Sequence, residues 1–113
     1  MSASIEELWP IPQGLCADGQ VAAQTIRELL DERKRGYHGG GGKFYTPQQW
    51  QDRGESYGTT SLLVITHDGG DHAGAFNLDY GDYKFNEELM RRLRDKGMFA
   101  EACTGWYSAI YRS

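Results

Sequence analysis

Residues 36–43 read Gly-Tyr-His-Gly-Gly-Gly-Gly-Lys, setting amides without side chains beside an imidazole and an ammonium group. Exposed N–H groups in such a run can form a nest for an anion. Tyr37, His38, Lys43 and Tyr45 are the side chains within sequence reach. A phosphate-binding P-loop does not fit: Tyr37 stands where its first glycine belongs, and Phe44 replaces the hydroxyl that holds magnesium. An oxyanion loop of the HGGG type belongs with a G-x-S-x-G nucleophile elbow in a much larger α/β protein, and no such elbow is read in this chain. The reading preferred is a connector between two helices. A small-ligand or anion site built by Gly39, Gly40, Gly41, Gly42 and Lys43, with the adjacent Tyr37, His38 and Tyr45, is the alternative.

A second constellation is His67-Asp68-Gly69-Gly70-Asp71-His72. With Gly69-Gly70 as a type I′ turn, 67 pairs with 72 and both imidazoles point to one face, about 5 Å apart at Cβ. That spacing suits a divalent metal, yet a site needs a third ligand, and His38, Asp79 or a glutamate could come only from the fold. A polar hairpin tip is the expectation, with no metal and no cofactor assigned; a metal-dependent enzyme around His67 and His72 ranks last. The run "NLDYGDYKFNEE" spans a calcium-loop length, but its sixth position is Asp82 where a glycine must turn the chain. Cys103 has no base nominated by any pattern, so a buried thiol is expected rather than a nucleophile. Neither reading favours an enzyme.

These residues need elements to place them. Ser4 and Glu7 form a capping box for a short helix that Pro10 and Pro12 cut off. Helix is predicted over 19–35, capped by Asp18 and stopped at Gly36, with Val21, Ala22, Ile26, Leu29 and Leu30 on one face. Arg27–Asp31 and Asp31–Arg35 are its expected outer pairs. Thr46, Pro47 and Gln49 start another short helix, stapled by Tyr45 and Trp50 and closed by Gly54. Strand follows from Ser61 to His67, then the hairpin, with "HAGAFNL" (72–78) as the returning strand. Asn86 is expected to cap a second long helix, with Phe85 and Met90 as staple. Leu89, Met90 and Leu93 form its inner stripe, Glu87–Arg91 and Glu88–Arg92 its outer pairs, and Gly97 its end. "MFAEAC" and "WYSAIYR" read as the last strands, joined near Thr104-Gly105. The fold class is therefore α+β: a small antiparallel sheet, hairpin plus C-terminal strands, with two main helices on one face.

A chain of 113 residues suits one domain, residues 1–113, and its net charge of −4 disfavours general nucleic-acid binding. Arg91, Arg92, Arg94 and Lys96 look basic, but a solvated helix face explains them. The N-terminus carries acids rather than the basic start of a signal peptide, and no apolar run is long enough for a bilayer. A cytoplasmic place without membrane contact is expected. Fourteen aromatic residues, seven of them tyrosine, are the unusual entry. Phe44, Phe76, Phe85 and Phe99 have core roles by periodicity or stapling. Along the last strand Trp106, Ser108 and Ile110 alternate with Tyr107, Ala109 and Tyr111. With helices on one face only, Tyr107 and Tyr111 should be partly exposed, joined by Tyr80 and Tyr83 in a patch for a protein partner or self-association.

Three stretches, "GGGGKFYTPQQWQDRGESYG", "LLVITHDGGD" and "CTGWYSAIY", resemble small uncharacterised proteins of actinobacterial phages. The resemblance carries no activity and no site residue. It implies a viral protein acting inside a bacterial host, and with the aromatics it favours a non-enzymatic interaction module.

Overall fold

A computed structural model describes residues 4–38 and 42–113. The elements are α1 (Ile5–Leu8), α2 (Ala17–Arg33), β1 (Lys43–Tyr45), α3 (Pro47–Asp52), β2 (Leu63–Thr66), α4 (Tyr83–Asp95), β3 (Met98–Ala102) and β4 (Tyr107–Arg112). Two 3-10 turns, Ala73–Ala75 and Leu78–Tyr80, separate β2 from α4. The sheet is antiparallel throughout, in the order β1-β2-β4-β3. The α+β class with an antiparallel sheet holds.

Local signals set most helix starts. The Ser4 hydroxyl accepts the Glu7 N–H, and Thr46 and Gln49 complete a reciprocal capping box with Pro47 in the first turn. The ends of the long helices differ from expectation. α2 begins after Cys16, without a side-chain cap, and stops at Lys34, whose φ of 55° is left-handed. α4 begins after Asp82 rather than at Asn86, which is inside the helix and donates its Nδ2–H to Ala75 O at 2.8 Å. Asn86 thus ties α4 to the turn before it.

The outer pairs shift as well, some to tertiary partners and some to other residues one turn away. Arg35 pairs with Asp82 at 2.8 Å, Arg27 donates to Trp9 O, and Asp31 faces Lys34 and Tyr37. Arg92 does pair with Glu88, at 2.7 Å, but Arg91 chooses Glu88 and Asp95 over Glu87.

The hairpin expected at Gly69-Gly70 does not form. Residues 72–78 hold a 3-10 turn instead of a returning strand, and β2 pairs with β1 and β4. The residues Ala73-Gly74-Ala75 have the small side chains needed to pass beneath neighbours; a Cβ on Gly74 would sit 3.0 Å from Asp82 Cβ. A β-hairpin does exist, between β3 and β4.

The two long helices share one face of the sheet, as expected, but the other face, expected to be open, is covered as well. On one, Phe44, Leu63, Ile65 and Ile110 pack with Ile26, Leu29, Leu30, Phe85, Leu89 and Leu93 of the long helices. On the other, Trp50 of α3 covers Val64 and Tyr107. The connection from α3 to β2 lies over that same face: Gly58 places its backbone against Ala109 and Val64. All four β2 residues are therefore buried.

Gly19 marks the tightest helix–sheet approach, since a Cβ there would lie 2.5 Å from Leu62 O. Alanine in a helix normally gains about 1 kcal/mol over glycine. Here overpacking against backbone reverses the sign. Gly19→Ala is expected to lower stability by about 2 kcal/mol, read by urea denaturation.

Candidate functional site

The two histidines are placed by opposite pulls. Each side chain is drawn under the long-helix layer, and each keeps a polar partner there. His67 is 0% exposed and its Nε2 lies 2.9 Å from Ser108 Oγ, while its ring stacks on Phe76 at 5.2 Å. His72 is 1% exposed, with Nε2 3.2 Å from Thr66 O and its ring edge-on to Trp9. A carbonyl only accepts, so His72 carries its proton on Nε2. Burial pushes the His67 pKa down to about 4, helped by the neighbouring His72, and burial lowers His72 as well. Both are neutral at pH 7.

The pairing of the two imidazoles expected across a hairpin gives way to these separate partners. Each imidazole engages Nε2, with Ser108 or Thr66, while His67 Nδ1 is buried without a partner among the described residues; no hairpin aligns the rings, and no group of three His, Cys, Asp or Glu among the described residues is placed to hold an ion. The His67–Ser108 distance matches a base–nucleophile pair. Neither residue is more than 1% exposed, so no substrate reaches the hydroxyl. It is a packed polar pair.

Sequence reasoning passed over one pattern: Gly54-Glu55-Ser56-Tyr57-Gly58 has the G-x-S-x-G spacing of a nucleophile elbow. An elbow runs from strand to helix. These residues follow α3 and precede β2, with Ser56 exposed on the face opposite the one where His67 lies. They build a covering loop, in which Tyr57 O accepts the Tyr107 hydroxyl. Cys103 is likewise unactivated, its thiol pKa raised chiefly by burial.

The anion candidates are dispersed. Gly39, Gly40 and Gly41 lie outside the described residues. Tyr37 packs on the long-helix side and donates its hydroxyl to Asp31 at 2.5 Å, a bond that pushes its pKa up to about 12. Tyr45 packs on the other side, against Trp50. His38 and Lys43 are exposed. An anion is already present at the entrance to the run: Asp71 Oδ2 accepts the N–H groups of Tyr37 and His38, at 3.3 and 3.2 Å. Asp71 N donates to His38 O, and Arg35 Nε donates to Asp71 O. The protein's own carboxylate thus takes the two amides that precede the glycines. Asp71 carried a signal in the sequence, since it follows Gly69-Gly70, but that signal pointed to a turn.

The aromatic candidates divide sharply. Tyr107 is 2% exposed, buried against Trp50 and Trp106, so it is removed from the expected surface. Tyr111 is half-buried and stacks on Phe99, which is exposed rather than in the core. Tyr80 and Tyr83 are 52% and 59% exposed, and Leu78, which no periodicity singled out, is 55% exposed. These three side chains fall within six residues. The segment under them is tied down at several points. Asn77 Oδ1 accepts Asp79 N–H, Asn77 Nδ2 donates to Gly105 O, and Asp82 pairs with Arg35. Gly81 takes the left-handed φ of 74° that lets the chain turn into α4.

No family model, curated protein or solved structure matches this chain. No helix among the described residues is long and apolar enough to cross a membrane.

Proposed function

We propose that the protein is a non-enzymatic interaction module that recognises a protein partner through Leu78, Tyr80 and Tyr83. The observation that carries this is their exposure, each above half, on a segment already fixed by hydrogen bonds and an ion pair. A backbone already held in place loses little conformational freedom on docking. Tyrosine also brings a hydroxyl for the polar part of an interface. The closed His67–Ser108 pair favours binding over catalysis. The resemblance to actinobacterial phage proteins points to a bacterial host protein as the partner, in the cytoplasm of that host. A net charge of −4 disfavours nucleic acid as the partner.

The double substitution Tyr80→Ala, Tyr83→Ala tests this directly. Stability should change by no more than about 0.5 kcal/mol, because both rings face solvent. Partners captured from host lysate by the unaltered protein should be lost, as judged by mass spectrometry of matched samples. Retention of the same partners by a folded double variant rules this surface out.

A further inference from the structure

The two edges of the sheet are unlike. β1 has only three residues, opens with the exposed Lys43 and is followed closely by Pro47, all devices that blunt an edge. β3 has five residues, Met-Phe-Ala-Glu-Ala, without lysine or proline. Its register against β4 runs unbroken from Met98↔Arg112 to Ala102↔Ser108, so no bulge twists it away. No strand among the described residues lies beyond it.

The direction of its free groups follows from the ladder. Cys103 N donates to Tyr107 O at 3.1 Å and Ser113 N to Gly97 O at 2.9 Å. Such bonds recur at every second residue of an antiparallel pair. Phe99 and Glu101 therefore turn their N–H and C=O inward to β4. Met98, Ala100 and Ala102 turn theirs outward.

We infer that this edge pairs with β3 of a second copy of the chain, antiparallel about a two-fold axis at Ala100. In that register Ala100 faces its counterpart and Met98 faces Ala102, so every outward backbone group finds a partner. The two four-stranded sheets become one. The charges allow this occupant: Glu101 lies opposite Phe99 of the second copy, so no like charges stand directly opposite, and the two Glu101 side chains are only diagonal neighbours. Continued past the strand ends, the register brings Lys96 of the second copy to Thr104, at a hollow of about 220 Å³ that Asp79, Leu78 and Ala102 also line. Small side chains at Ala100 and Ala102 leave room for the approach on the long-helix side. The inference does not rest on partner recognition by Leu78, Tyr80 and Tyr83, which can fail while the dimer stands, although Leu78 borders both surfaces.

Sedimentation across a concentration series, with paired variants of Phe99, tests both dimerisation and register. Phe99→Glu puts like charges opposite Glu101 twice by symmetry, and Phe99→Lys puts opposite charges there. Both lose the aromatic ring equally. The dimer dissociation constant should differ about tenfold or more between them, with the lysine variant the tighter. Ala100→Pro, which removes an outward N–H without touching the β4 ladder, should give a monomer. A protein that stays monomeric up to its solubility limit overturns the inference, even if the edge takes up a strand from another protein. So does a dimer indifferent to the sign of the charge at position 99.

Discussion

Replacing Trp50 with alanine should lower the free energy of unfolding by about 4 kcal/mol. The side chain is fully buried and is touched by Tyr45, Trp106 and Tyr107, with ring centroids 5.0, 5.6 and 4.8 Å away, while Arg53 lies 4.5 Å above it. Truncation opens a cavity between α3 and the sheet that the short helix is too well capped to fill. The indole N–H has no hydrogen-bond partner among the described residues, so its loss returns a small part of the cost. Trp50→Phe, which keeps a ring and discards that N–H, should cost less than half as much. Urea denaturation followed by near-ultraviolet circular dichroism reads both. A loss below about 1 kcal/mol for the alanine variant would show that this face is not a core.

Acidification should destabilise the fold between pH 6.5 and 4 by about 3 kcal/mol through His67 alone. The unfolded chain holds an imidazole of ordinary pKa, 6.5, whereas the buried ring protonates only near 4. Between those values the unfolded state binds the extra proton, so stability falls as pH falls and levels off below about 4. His72 acts in the same direction. The Glu88 carboxyl, drawn down to about 2 by hydrogen bonds from Arg91 and Arg92, titrates mostly below this window. His67→Gln can still reach Ser108 and should flatten the slope between pH 6.5 and 4. A wild-type stability unchanged across that range would contradict the neutral buried imidazole.

The local half of this fold was legible and the long-range half was not. Caps at Ser4 and Thr46, the stripe of Ala22, Ile26, Leu29 and Leu30, and the last two strands all depend on neighbours within a few residues. The 72–78 segment failed because Gly69-Gly70 satisfies a hairpin turn locally while β2 takes β4 as its partner, more than forty residues away. Trp50 was legible as a staple for Tyr45 but not as the cover of a second sheet face, since only the tertiary path of residues 53–61 reveals that face. That oversight explains why Tyr107 was expected at the surface. Tyr80 and Tyr83 came from the sequence as loop aromatics, and Leu78 could have joined them as an apolar residue beside a turn. The Asp71 clamp on Tyr37 and His38 joins segments thirty-three residues apart, beyond any local signal.

The position of β4 between β2 and β3 has a consequence for synthesis of the chain. β2 emerges from the ribosome with Leu63 and Ile65 ready for burial, but its neighbour on one side is not made until translation passes residue 107. At ordinary elongation rates that delay is a few seconds. Throughout it, the most apolar strand of the protein has one side bare. Clearing the tunnel, rather than forming any helix, therefore sets when the sheet can close.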